Sequence, residues 1–335
     1  MFKKHISEDN WLVTALAGAA FSFLVFVGLQ DGSFASNLGL VEDVQVEQVG
    51  NVLGVSTTQV SGNTELMAAL ENATGGETLE LAPGNYDLNL WSVRETYAVF
   101  PSEVTITSRD ATNQATFTSV TLSGVQNLTF DNVIFDYTYT LGDPLFLQPF
   151  FIKNDTHGGG QTKNITIRNS NFDGDIVTGS GISTDDGFGT AKGLAVDGRG
   201  VLPVEGLVIE NNVFTKWHRG ATFTHIDGLV VRGNESYDLR SDGYNFVNVD
   251  NTLIESNYLH DFRKSPTSLD HMDMIQFWTT NTTDPSENVT IRDNILMSQK
   301  GDWTQSIFIR NEAVDVQGAG LEMFYKDFLI ENNVI

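Results

Sequence analysis

One phrase returns along this chain: an apolar pair one residue apart, a polar stretch, an asparagine, and another apolar residue. It reads LVIENNVF at Leu207 to Phe214, LVVRGNES at Leu229 to Ser236, TLIESNYL at Thr252 to Leu259, VTIRDNIL at Val289 to Leu296 and FLIENNVI at Phe328 to Ile335. Weaker copies stand at Leu128 to Phe135 and Ile165 to Phe172. Self-similarity at a fixed period means stacked units, none of which can bury its apolar face alone. The second apolar positions Ile209, Val231 and Ile254 are 22 and 23 residues apart, room for a coil of three short strands and three turns. The pattern predicts an all-β chain, a parallel β-helix solenoid. Asn212, Asn234, Asn257, Asn294 and Asn333 share one place in their repeats, a corner where inward amides can bond the backbone and one another. That is a structural ladder rather than a catalytic set.

A texture this even shows no second-domain boundary, and solenoids of this length form one core. The chain has no cysteine, so no disulfide supports it. Its formal net charge of −24 argues against nucleic acid as a partner, because polyphosphate binding needs a basic face. The same charge opposes an acidic ligand, so a polyuronate would need local Arg and Lys or a bridging cation.

The amino end carries Lys3 and Lys4, then an apolar run from Trp11 to Leu29, with small residues at Ser33 and Ala35. Residues 1–37 read as a signal peptide or a membrane anchor; the length of the run leans toward the anchor. The basic start favours an exported body, placing the chain in the periplasm, outside the cell, or on the outer face of the cytoplasmic membrane held by residues 11–29. Residues 38–60 read as an acidic linker and 61–335 as the β-helix. Within it, residues 61–75 predict a capping helix, with Asn63 or Thr64 as N-cap, Leu66, Met67 and Leu70 as its apolar face, and Gly75-Gly76 as its end. GETLELAPGNYDL (Gly76 to Leu88) alternates like a strand and turns at Pro83-Gly84-Asn85. The chain stops at Ile335 inside a repeat, which suggests further coils.

Each repeat leads through a turn into another short strand. Aligning Ala221, Tyr244, Ile275 and Ile307 also aligns Phe223, Phe246, Phe277 and Ile309 as an inward stack. The outward rows are then Thr222, Asn245, Gln276 and Phe308, and Thr224, Val247, Trp278 and Arg310. Amide, hydroxyl, aromatic and guanidinium groups in rows suit a sugar chain. Long loops at Asp173 to Thr190 and His260 to Leu269 would wall this trough. In the turns opening onto it stand Trp217-His218-Arg219, Arg240-Ser241-Asp242 and Asp270-His271-Met272-Asp273, one per coil. Coils about 4.8 Å apart would bring Arg219, Asp242 and Asp273 together. HGGG at His157 to Gly160 lacks the G-x-S-x-G elbow of an esterase and reads as a loop between coils.

The strand phrase GETLELAPGNYDL after a helix, the IENN repeats and HMDMIQFW (His271 to Trp278) together resemble the right-handed parallel β-helix superfamily that includes pectate lyases, alginate lyases and mannuronan C5-epimerases. The likeness covers about Asn63 to Ile335. It implies an exported enzyme acting on an acidic polysaccharide, a uronate lyase or C5-epimerase. The epimerases carry a Tyr-Gly-Phe-Asp-Pro-His run on the binding strand; here Tyr244 and Phe246 match, and His271 and Asp273, one coil on, stand in for the missing Asp and His. The catalytic candidates are therefore Tyr244, His271, Asp273, Arg219 and Asp242. Candidate substrate contacts are His218, Arg240, Asn245, Gln276, Trp278, Arg310 and Lys192. Arg219, Arg240 or Lys192 would neutralise the substrate carboxylate, with Ca²⁺ on Asp242 and Asp273 as a further neutraliser, and His271 or Tyr244 would move the C5 proton. Two other classes stay open: a non-catalytic carbohydrate-binding or structural β-helix tethered to a membrane, and a glycoside hydrolase using two carboxylates.

Overall fold

The computed structural model describes residues 56–92, 98–140, 143–175, 190–200, 202–264 and 271–335. The expected signal or anchor, most of the linker, residues 176–189 of the first loop wall and 265–269 of the second lie outside the described residues.

The strands stack into three parallel ladders, every strand hydrogen-bonded to the equivalent strand one coil away. The first ladder begins with Thr57–Val60 on Thr78–Leu81, passes through Lys163–Arg168 and Val204–Glu210, and ends with Glu287–Arg292 on Lys326–Glu331. The second runs from Asn85–Trp91 through Thr116–Ser123, Phe150–Lys153, Lys192–Asp197 and Asp273–Phe277 to Gln305–Ile309. Three-residue strands make the third, from Ile134–Asp136 to Ile295–Met297. The long strands Arg219–Arg232 and Tyr244–Glu255 serve both the second and the first ladder. They bend at His225 and Asn248, whose φ angles are 53° and 51°. This is a parallel β-helix.

The linker reading needs one correction: Thr57–Val60 is a strand, because its β-prone residues pair with Thr78–Leu81 and Val60 is buried in the core. A helix spans Asn63–Asn72 with Leu66 and Leu70 buried, but neither Asn63 nor Thr64 caps it. The N-cap is Gly62; Glu65 reaches back to accept from the Ser61 N–H at 2.7 Å, and the Asn63 side chain bonds Asp87 instead.

Aromatic rings fill the coil interior in stacks. Phe135, Phe172 and Phe214 follow one another at centroid separations of 4.4 Å, and Phe223, Phe246 and Phe277 at 5.3 and 4.8 Å. All six are buried. Parallel in-register coils put like beside like, so each ring meets its counterpart rather than a void.

Two corners repeat with the same chemistry. At the first, Asn127, Asn164, Gly206, Gly228, Asn251, Asn288 and Asp327 occupy one register position with φ between 50° and 75°. Residues with a short polar side chain or none tolerate this left-handed backbone. At the second, the inward asparagines form a continuous ladder. Asn234 Oδ1 accepts from the Asn212 backbone N–H at 2.9 Å and from Asn212 Nδ2 at 3.1 Å; Asn234 Nδ2 donates to the Ile209 carbonyl at 2.9 Å and to Asn257 Oδ1 at 3.0 Å. Asn257, Asn294 and Asn333 repeat the arrangement. Backbone groups that a corner would strand inside the coil are thereby satisfied.

Candidate active site

At the start of the second ladder's strands, Lys192, Arg219, Asp242, Asp273 and Gln305 share one register position. Two cations and two carboxylates thus lie in a row, each about 4.8 Å from the next along the coil axis. Strict alternation would put Arg219 and Asp242 on the same side as Ala221 and Tyr244, which face the core. Glycine breaks the alternation. A Cβ on Gly220 would lie 3.2 Å from the buried Leu239 side chain, and one on Gly243 would lie 2.5 Å from the buried Leu259 side chain and 2.3 Å from the Met274 carbonyl. With two successive positions turned inward, the residues before them are released to the outer face.

The row is internally bonded. Arg219 Nε donates to Asp242 Oδ2 at 2.9 Å, with the Asp242 side chain only 2% exposed. The Asp273 N–H donates to Asp242 Oδ1 at 3.3 Å. Asp273, itself fully enclosed, binds His271 Nδ1 at 2.8 Å through Oδ2, while the His271 side chain is 63% exposed. Gln276 Nε2 donates to the same oxygen at 2.7 Å, and Gln276 Oε1 accepts from Asn245 Nδ2 at 2.8 Å. Ser241 Oγ donates to the His271 carbonyl at 3.3 Å. The Arg219 guanidinium lies 5.5 Å from the Trp278 ring centroid, close enough for cation–π attraction.

Burial pushes the Asp273 carboxyl up to about 6, and the charge of Asp242 adds to it, while His271 pulls the other way. Burial, followed by the positive charge of Arg219, brings the Lys192 ammonium down to about 8. Both shifts have the causes expected where like charges are held together out of water.

The structure brings together Lys192, Arg219, Asp242, Asp273, His271, Gln276, Asn245 and Trp278. It separates others. Tyr244 is 0% exposed and points into the coil, its hydroxyl 2.6 Å from Ser236 Oγ, and burial raises its pKa. It cannot reach a ligand on the outer face, and the catalytic role suggested for it is corrected on that ground. Arg240 is also enclosed, at 2% exposure, and His218 is buried with its ring edge-on to Phe146 at 5.6 Å. Neither is presented to a ligand. Arg310 lies on the outer face but turns to Asp315, 3.4 Å away. Asn245 and Gln276 are buried parts of the network holding Asp273, rather than members of a solvated row. The sequence reading missed Ser241, although it marked the Arg240-Ser241-Asp242 turn.

Donor atoms of Asp242, His271 and Asp273 lie within 4.8 Å of one another, and buried Asp273 Oδ1 has no hydrogen-bond partner. The set does not fit Ca²⁺. That ion takes about six to eight oxygen ligands, whereas one donor here is an imidazole nitrogen, and Asp242 Oδ2 is already engaged by Arg219.

No family model matches the chain, and no curated protein matches it. Three solved structures to which it is similar can be named. One is an alginate lyase from Paenibacillus sp. str. FPU-7, at 15% identity over 72% of this chain and 76% of that one, TM-score 0.36. Another is the PL6 family alginate lyase AlyGC, at 13% identity over 83% of this chain, TM-score 0.40; here the chain spans 39% of the longer protein. The third is the A-module of the Azotobacter vinelandii mannuronan C-5 epimerase AlgE6, at 13% identity over 81% of this chain and 93% of that one, TM-score 0.32. Likeness of this degree fixes no chemistry, which has to come from the chain's own residues.

Proposed function

We propose that the chain acts on an acidic polysaccharide, removing the C5 proton of a uronate and expelling the oxygen at C4. The observation that carries this reading is the outward His271 imidazole, oriented by the buried Asp273 carboxylate at one end of a row that continues through Asp242 to the cations Arg219 and Lys192. A uronate resists losing its C5 proton because a carboxylate already occupies the adjacent carbon. Arg219 keeps guanidinium N–H groups beyond the one given to Asp242, and these can take up that charge. Lys192, one coil on, would meet the carboxylate of a neighbouring sugar. An imidazole that donates from Nδ1 to Asp273 leaves Nε2 as a bare acceptor. Nε2 takes the C5 proton, the C4–O bond breaks, a C4–C5 double bond forms, and the imidazolium returns the proton to the departing oxygen.

Elimination is favoured over epimerisation because one group can serve both proton steps. Epimerisation needs a second donor on the opposite face of the sugar, and Tyr244, which stood in line for it, faces the core. A hydrolase reading is weaker, since both carboxylates are enclosed and committed to partners. We read the helix Asn63–Asn72 as a cap over the first coil, where an uncovered strand edge would template aggregation. Export rests on Lys3, Lys4 and the apolar run Trp11 to Leu29.

The test is incubation with a panel of alginates and pectins, following unsaturated-uronate absorbance and the NMR sugar ratio together. New absorbance is the expected result. A changed ratio without cleavage would make it an epimerase, saturated reducing ends a hydrolase, and an intact glycan a binding module.

A further inference from the structure

The outer face of the second ladder carries another group of residues, toward its amino end, that the mechanism above does not use. Trp91, Ser123, Lys153, Asp197 and Thr224 occupy one register position in successive coils. Phe151 lies on the same face, two residues before Lys153. Lys153 Nζ stands 5.4 Å from the Trp91 ring centroid and 5.4 Å from that of Phe151. Trp91 in turn stacks against His157, with centroids 6.3 Å apart and planes 16° from parallel.

His157 belongs to the His157 to Gly160 motif, and its loop is built rather than slack. Asp155 Oδ1 accepts from the His157 N–H at 2.9 Å and from the Gly158 N–H at 3.2 Å, while the Asp155 N–H donates to the Gly160 carbonyl at 2.8 Å. The turn thus holds the imidazole against the indole. Like Lys192 in the candidate site, Lys153 lacks, among the described residues, the acidic partner that many cations of the outer surface hold. Lys163, Arg168, Lys216, Arg232, Arg292 and Lys326 each hold an acidic partner. Among the described residues no carboxylate pairs with Lys153. Asp197, one coil on in the same row, bonds Arg199 instead, so Lys153 stands as a cation without an ion-pair partner between half-buried aromatic rings, matched to an anion that also offers an apolar face.

We infer that Trp91, Phe151, Lys153 and His157 form a distal contact for the same acidic glycan chain, an inference that rests on the polyuronate reading above. A pyranose ring offers C–H faces to aromatic rings and, in a uronate, a carboxylate to the ammonium. The Lys153 strand lies two coils from that of Arg219 and four from that of Asp273, about 10 and 19 Å along the axis, and Lys153 shares its register with Asp197, five residues or about 16 Å along the strand from the Lys192 row, so the separations are about 19 Å from Arg219 and about 25 Å from Asp273. A pyranose residue is about as long as a coil is high. Lys153 therefore meets a sugar about five residues from the one at His271, on a chain that crosses the face obliquely, and only a chain of that length can touch both.

The test uses the full chain carrying His271→Ala, so that ligand survives, with and without Lys153→Gln or Lys153→Arg. Hexauronates and diuronates of mannuronate and of galacturonate are titrated in by calorimetry. Lys153→Gln is expected to weaken hexauronate binding roughly tenfold, as loss of one charge-assisted contact should. Lys153→Arg retains most of the affinity, diuronate binding is unchanged, and the unfolding midpoint stays where it was. Hexauronate binding that is indifferent to Lys153→Gln, or di- and hexauronate weakened alike, would overturn the distal contact and leave the polyuronate reading standing. Failure of the parent to bind any uronate would overturn both.

Discussion

Replacing Asn234 by alanine measures how far the inner ladder holds the coils together. Asn234 sits mid-stack, 1% exposed, and makes four ladder contacts through its side chain. Truncation leaves the buried Asn212 N–H without an acceptor, deprives Asn212 Nδ2 of one of its two, and removes a donor from the Ile209 carbonyl. Asn257 Oδ1 still accepts from the residue 234 backbone N–H. Each buried group left unpaired costs about 1–3 kcal/mol, so two fully orphaned donor hydrogens and a weakened acceptor sum to about 3–5 kcal/mol, less whatever an entering water recovers. The control is Asn251→Gly on the outer corner. There φ is 50° and the side chain bonds Asp227 and Asn288 in an exposed setting; glycine keeps the left-handed backbone, so the loss should stay below about 1 kcal/mol. Urea unfolding followed by far-UV circular dichroism gives both values. If Asn234→Ala costs no more than Asn251→Gly, the inner ladder is not what satisfies the corner and the reasoning fails.

Three further predictions concern the outer face and its support. Asp273→Asn should be less active and should remove a pH-dependent penalty, against a constant cost of about 1–3 kcal/mol for the amide donor left unpaired where Oδ1 was. The folded carboxyl is raised to about 6 from 3.8, so its ionisation costs stability as pH rises between those values and the variant gains on the parent over that range. The gain, at most about 3 kcal/mol, should be full above pH 6 and gone near pH 4 in a pH series of unfolding midpoints, while turnover falls about a hundredfold or more as His271 loses its orienting partner. Tyr244→Phe should leave turnover unchanged and cost about 1–2 kcal/mol through the stranded Ser236 hydroxyl; a large loss of turnover would return Tyr244 to the site. Gly243→Ala should cost more than about 2 kcal/mol by thermal unfolding, because its Cβ would overlap the Met274 carbonyl and the Leu259 side chain.

The coil was legible because its period is written in apolar residues and asparagines that must coincide to be buried. The near coincidence of Arg219, Asp242 and Asp273 followed from that period and the coil spacing. Side-chain direction at a bend was harder. The inward alignment of Tyr244 with Ala221 and Ile275 conflicted with the role that family resemblance gave it, and the conflict is resolved by Gly243, where the backbone turns two successive positions inward. Asn245 and Gln276 read as open sugar contacts because alternation says outward but not whether outward is covered; both are buried against Asp273. The His271 to Asp273 bond spans two residues at a strand entry, where no regular period governs direction. Arg310 looked available until Asp315, in the helix Glu312–Asp315 that follows it, supplied a partner.

The central claim is that His271 removes a proton from C5 of a uronate, and a polyuronate carrying deuterium at C5 tests it most directly. Elimination and epimerisation both require the label to leave. The account predicts that deuterium appears in solvent for each uronate that reacts, and that His271→Ala abolishes its release while leaving the unfolding midpoint in place. Glycosidic cleavage with the label retained, or no reaction with any acidic polysaccharide, would contradict it.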